Sequence, residues 1–209
     1  MSVVAVETFY GVLALVASFA VVAVVVLRLA ASASDGARDR WDDLVELVAP
    51  NAFGMAWVVA FLATAGSLYF SEVAGFEPCT LCWYQRIAMY PLVVVLAVAA
   101  ARRERAGAWY AIAIAAIGAV VSAYHVLLEW FPSIDTGACS ATTPCTLVWF
   151  RVFGFISLPT LAFVAFALIL TLLAVRLAQP TAVAEEAVGV DHVIEDGPDS
   201  GTDTPRRNA

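Results

Sequence analysis

Polar residues along this chain are confined to the joints between long apolar runs, and the runs set the architecture. Five are long enough to cross a bilayer: 9–30, 52–70, 83–101, 108–130 and 153–177. At 1.5 Å per residue the shortest extends about 28 Å, near the thickness of a hydrocarbon core. Backbone groups in lipid must bond within their own segment, so these runs predict helices. Pro91 and Pro159 fall inside two of them and are expected to kink them. The expectation is an all-α membrane protein, a four-helix transmembrane bundle with one additional N-terminal transmembrane helix. The chain then divides into the extra helix (1–34), an acidic connector (35–51), the bundle (52–178) and a polar acidic tail (179–209), expected to be disordered.

Composition agrees: 62% of the residues are apolar, 14% are charged and mean hydropathy is +0.86. A soluble domain is about half apolar and a quarter charged. The net charge of −7 and the absence of lysine exclude the basic face that nucleic acid requires. The same acidic balance fits a salt-adapted organism. The first run resembles a signal peptide only in Ala31-Ser32-Ala33 behind it. Glu7 rather than a positive charge precedes it, and it exceeds the usual signal core, so a retained helix is expected.

Arginine placement orients the helices. Arg28, Arg38 and Arg40 flank the first connection, Arg102, Arg103 and Arg105 the third, and Arg176, Arg206 and Arg207 follow the last helix. The second connection has no basic residue, and the fourth has only Arg151 at its edge. The positive-inside rule places the first and third connections and the tail in the cytoplasm, and the N-terminus outside a cell membrane. Within the first connection Trp41, Leu44, Val45 and Val48 recur at helical spacing between Asp42, Asp43 and Glu46. This suits a short helix on the inner membrane surface or a plain acidic connector. His192, in the tail, is expected to be solvated.

The four cysteines all fall on the outer side, where disulfides persist. Cys79-Thr80-Leu81-Cys82 leads into a helix, with Pro78 suited to its first turn. The unpaired N–H groups and partial positive charge of a helix N-terminus favour a thiolate. Gln85 and Arg86 follow on the same face one turn deeper, and a permanent cation at that depth is costly unless it serves a purpose. Cys139 and Cys145 bracket a short irregular loop. That spacing allows a labile exchanging disulfide or a static staple, and four thiolates together allow a zinc site.

Several stretches carry a resemblance. "GSLYFSEVAGFEPCTLCWYQRIAMYPLVVVL", "YHVLLEWFP", the C-x5-C loop and "FGFISLPTLAFVAF" resemble the DsbB family of disulfide bond formation proteins, most closely its short-loop BdbC-like branch. The similarity runs over 53–177 and keeps the order of all four cysteines. It implies a membrane thiol oxidase that re-oxidises a secreted or membrane-anchored thioredoxin-like, DsbA-type partner and passes electrons to membrane quinone, ubiquinone or menaquinone in type. It further implies that Cys79 and Cys82 face the quinone, that Cys139 and Cys145 face the partner, and that Arg86 contacts the quinone. Gln85 and His125 are further candidates at that pocket, His125 as proton relay or quinone contact against the alternative of a packed, hydrogen-bonded histidine. The first helix and the tail lie outside the family pattern. Two other readings stay open: a vitamin K epoxide reductase-like enzyme, where the second cysteine pair is expected before the C-x-x-C, and a metal-binding or disulfide-stapled scaffold.

Overall fold

The computed structural model describes residues 2–135, 137, 139 and 143–179. The expectations for the tail, including His192, lie outside the described residues. Six α-helices follow in order: α1 (Val3–Ala30), α2 (Asp35–Val48), α3 (Ala52–Leu68), α4 (Thr80–Arg102), α5 (Arg105–Trp130) and α6 (Leu158–Ala178). Among the described residues, five helical stretches are long and apolar enough to cross a membrane, and no strand forms. The protein is a helical membrane bundle.

Helices α3 to α6 pack around a core of small and branched residues. Ala56, Ala60, Ala108, Ala111 and Ala115 are fully buried and let the backbones approach; Leu92, Leu96, Phe166, Ile169 and Leu173 fill the space between. Gly118 of α5 lies against the Phe166 ring of α6, where a Cβ would overlap the ring. Lipid supplies no hydrophobic drive between helices, so this close fit is what holds them.

Helix α1 leaves most of its apolar surface exposed and packs against α6 and α2. Its N-terminal half is pinned by Tyr10, which donates from its hydroxyl to the Leu62 carbonyl at 3.0 Å and covers Gly66. The segment between α1 and α3 is helical, capped by Ser34, whose hydroxyl accepts from the Ala37 N–H. Arg28 lies over the Trp41 ring, and Arg105 donates to the Leu177 carbonyl at 2.8 Å, joining α5 to the end of α6.

The connections carrying the cysteines depart from the expected boundaries. Helix α3 widens into a π-turn at Tyr69–Val73 before the chain reverses through Gly75 (φ 74°). Pro78 precedes α4 rather than occupying its first turn, because Cys79 is the N-cap. The last helix starts at Leu158, not at 153. Residues 152–156 form a tight reversal, with Val152 bridged to Ile156 and positive φ at Phe153 and Gly154. Pro159 therefore sits in the first turn of α6, where its missing N–H removes no intrahelical bond, while Pro91 is inside α4 as expected.

Candidate redox site

The site is built at the N-terminus of α4. Cys79 takes an extended N-cap conformation (φ −74°, ψ 173°), and its Sγ accepts the Cys82 N–H at 3.3 Å. That bond satisfies one of the orphan donors of the first turn with sulfur in the place of the usual oxygen. The C-x-x-C spacing is one helical turn, so Cys82 Sγ comes back to within 2.8 Å of Cys79 Sγ. Both are free thiols, Cys79 buried and Cys82 partly so. The hydrogen bond from Cys82 holds the Cys79 thiol well below its ordinary range; burial opposes this, and the hydrogen bond and charge of His125 add to it. The Cys82 N–H and the His125 ring both face Cys79 Sγ, so a negative charge is better received there than on Cys82.

His125, on α5, joins this pair to the second one. Its ring is 2% exposed. Its Nε2 lies 3.0 Å from the Cys145 carbonyl oxygen and 3.8 Å from Cys79 Sγ, while its Nδ1 lies 3.1 Å from the Gln85 side-chain nitrogen. A carbonyl oxygen can only accept, so Nε2 carries the proton and, in the neutral ring, Nδ1 accepts from Gln85. The Cys145 carbonyl thereby sets the histidine tautomer, and Gln85, 8% exposed, donates to the other ring nitrogen.

Cys139 and Cys145 are bonded to each other, with Cα atoms 5.8 Å apart. The four-thiolate zinc arrangement is therefore not formed. Cys145, 1% exposed, shares one apolar cluster with Cys79, Leu81 and Leu128, against which Cys82 and Cys139 also pack. Aromatic rings clamp the two cysteine segments together: Phe76 stacks on Phe70 and on Trp149, and Phe150 tilts against both phenylalanines.

A small cavity opens beside the sulfurs, lined among others by Glu77, Cys79, Cys82, His125 and Glu129. Glu129 lies one turn beyond His125 on α5, is 8% exposed, and accepts the Ser157 hydroxyl at 2.6 Å. Sequence reading passed over Glu129; the i, i+4 spacing to His125 was the available signal. Arg86 does not line this cavity. Its guanidinium donates to the Ser67 carbonyl of α3 at 3.1 Å and covers the Trp83 ring at 5.1 Å, within electrostatic reach of Cys82. The fold thus gathers Cys79, Cys82, Gln85, His125, Cys139 and Cys145, and sets Arg86 on the neighbouring flank of α4.

Residues 50–176 match the family described as disulfide bond formation protein DsbB. A probable disulfide formation protein of Oceanobacillus iheyensis is 46% identical over 126 residues, covering 59% of this chain and 87% of that protein. Disulfide bond formation protein C of Bacillus subtilis is 45% identical over 116 residues, covering 55% and 84%. A probable disulfide formation protein C of Bacillus cereus is 46% identical over 112 residues, covering 53% and 81%. No solved structure matches the chain.

Proposed function

From the fact that this chain belongs to the DsbB family of disulfide bond formation proteins, we propose that it re-oxidises an extracytoplasmic thioredoxin-like, DsbA-type partner and delivers the electrons to membrane quinone. The observation that carries this reading is His125, which contacts a sulfur of one cysteine pair and the backbone of the other within a single buried cluster.

A partner thiolate attacks the Cys139–Cys145 disulfide, and the partner's second thiol resolves the mixed disulfide. The products are an oxidised partner and two loop thiols. One loop thiolate then attacks the Cys79–Cys82 disulfide. The Cys139–Cys145 bond re-forms, and Cys79 and Cys82 become a dithiol holding two electrons and two protons. Cys79 is the better leaving sulfur in this exchange, since Cys82 and His125 stabilise its thiolate.

Bound quinone would accept two electrons and two protons, restoring the Cys79–Cys82 disulfide. The donors near Cys82 suit such a group. Arg86 spends one N–H on Ser67 and keeps others, on a planar cation that favours developing negative charge on an oxygen. Gln85 and His125 are already engaged with each other, so their contribution there is to order the pocket wall. Arginines gathered at Arg28, Arg102, Arg103, Arg105 and Arg176, remote along the helices from the cysteine segments, support a cell-membrane orientation with the cysteines outside, the N-terminus outside and the tail cytoplasmic.

The test is purified protein in detergent with reduced thioredoxin-like partner and quinone, followed by quinone absorbance. Catalytic loss of that absorbance, matched by partner oxidation and abolished by Cys139→Ser, is expected. Normal turnover in Cys139→Ser would remove the two-pair relay.

A further inference from the structure

We propose that the reduced Cys79–Cys82 pair and His125 form a site for a divalent thiophilic cation of the zinc type, present only when the pair is reduced and inhibitory when filled. The two Sγ atoms and a ring nitrogen of His125 all lie within 4.8 Å of one another. Zinc–sulfur and zinc–nitrogen bonds of about 2.3 and 2.0 Å, set tetrahedrally, need ligand separations of roughly 3.5–3.8 Å. Cys79 Sγ and His125 Nε2 stand at 3.8 Å already, and the sulfurs must open from 2.8 Å. That requires a small rotation of Cys82, the less buried of the two.

The surroundings suit a metal-binding histidine. To ligate, Nε2 must give up its proton and its bond to the Cys145 carbonyl. Nδ1 then carries the proton, and Gln85 faces it at 3.1 Å. Turning the Gln85 amide over replaces its donor by its oxygen, which accepts from Nδ1 and fixes the ring as such partners do in metal sites. Charge selects the ion. Two thiolates and a neutral imidazole are balanced by a double positive charge, and in this buried apolar cluster a neutral centre avoids the penalty of an unpaired ion. Sulfur and imidazole ligands disfavour magnesium and calcium, which take oxygen. The cavity edged by Glu77 and Glu129 leaves room for a fourth ligand.

Oxidation to the disulfide removes both thiolates, so the site exists only in the reduced form. Filling it consumes no electrons; whatever protons the two thiols still carry leave to solution. The inhibitory consequence rests on the oxidase reading, whereas the binding does not.

Binding is tested with the full chain in detergent carrying Cys139→Ser and Cys145→Ser, reduced by a phosphine that is then removed, and titrated with Zn2+ against a chromophoric chelator. One Zn2+ per reduced chain is expected, none after chemical oxidation of the pair to the disulfide by diamide, verified by thiol count, and none displaced by excess Mg2+. His125→Ala should weaken binding at least about tenfold. Equal affinity in His125→Ala would leave a bare dithiol and overturn the site, as would equal binding to the oxidised chain or no binding at all. Co2+ in the unaltered histidine background gives a check independent of that variant's folding: tetrahedral bands with thiolate charge transfer support the site, and a weak octahedral spectrum overturns it. In the turnover assay Zn2+ should inhibit reversibly. Turnover indifferent to Zn2+ would overturn the inhibition, while absence of turnover without Zn2+ would count against the oxidase reading and leave the titration to judge the site.

Discussion

Phe76 lies parallel to Trp149, ring centroids 4.8 Å apart and planes 10° from coplanar. Phe76 is three residues before Cys79, and Trp149 is four residues after Cys145. The stack therefore fastens one cysteine segment to the other close to where, in the proposed relay, sulfur reaches sulfur. Exchange between pairs needs a near-attack approach, and an error of about 1 Å can cost on the order of a hundredfold. Trp149→Ala should slow oxidation of the loop thiols by Cys79–Cys82 at least about fivefold, consistent with about 1 kcal/mol for one aromatic pair. Trp149→Phe should keep most of the rate. Rapid acid quench and thiol trapping in single-turnover experiments measure this step, and partner attack on Cys139–Cys145 should change little.

Cys79 titrates below the ordinary thiol range in the reduced protein, so its alkylation should remain fast at pH values where a free thiol slows. The sign for stability follows from the same shift. A depressed folded-state value means that the unfolded chain binds more protons between the two values. The stabilisation is complete above the unfolded thiol value of about 8.5 and is lost as pH falls toward the lowered folded value. Thermal unfolding of reduced protein across this window should show that slope, and Cys79→Ser should flatten it.

Glu129 and Ser157 join the end of α5 to the start of α6 through a 2.6 Å hydrogen bond. Glu129→Gln keeps an acceptor for the serine hydroxyl, whereas Ser157→Ala removes a partner from a buried carboxylate. Ser157→Ala should therefore cost about 1–3 kcal/mol, and Glu129→Gln less. Denaturant unfolding in detergent compares them; a larger loss in the glutamine variant would contradict the clamp.

Arg86 is held by the Ser67 carbonyl and the Trp83 ring at a fixed place on the flank of Cys82. Arg86→Gln should raise the quinone KM or lower turnover by at least about tenfold, roughly 1.4 kcal/mol. Arg86→Lys should rescue only in part, because a point charge lacks the planar fork. Exchange between partner and loop should be unaffected. Unchanged kinetics with varied quinone would reduce Arg86 to a link between α3 and α4.

The helices were legible from sequence because lipid leaves an apolar run no other structure, and the C-x-x-C spacing is itself one helical turn, so the contact between Cys79 and Cys82 is local. Hydropathy erred at 153–157, where the apolar residues of a tight reversal read like the start of α6. The environment of the sulfurs belongs to tertiary structure. His125 is 46 residues from Cys79 and 20 from Cys145, whose carbonyl sets its tautomer, and Gln85 is 40 from the histidine it holds. Glu129 reaches Ser157 across 28 residues. Such pairings depend on which faces of α4, α5 and α6 the small core residues bring together, and a one-dimensional pattern records burial without recording the neighbour. Sequence alone determined that this chain crosses a membrane and carries two cysteine pairs on its less basic side. Only the packed bundle decided that the pairs share one buried cluster, because the close fit of Gly118 to Phe166 and the stack of Phe76 on Trp149 act between segments far apart in the chain.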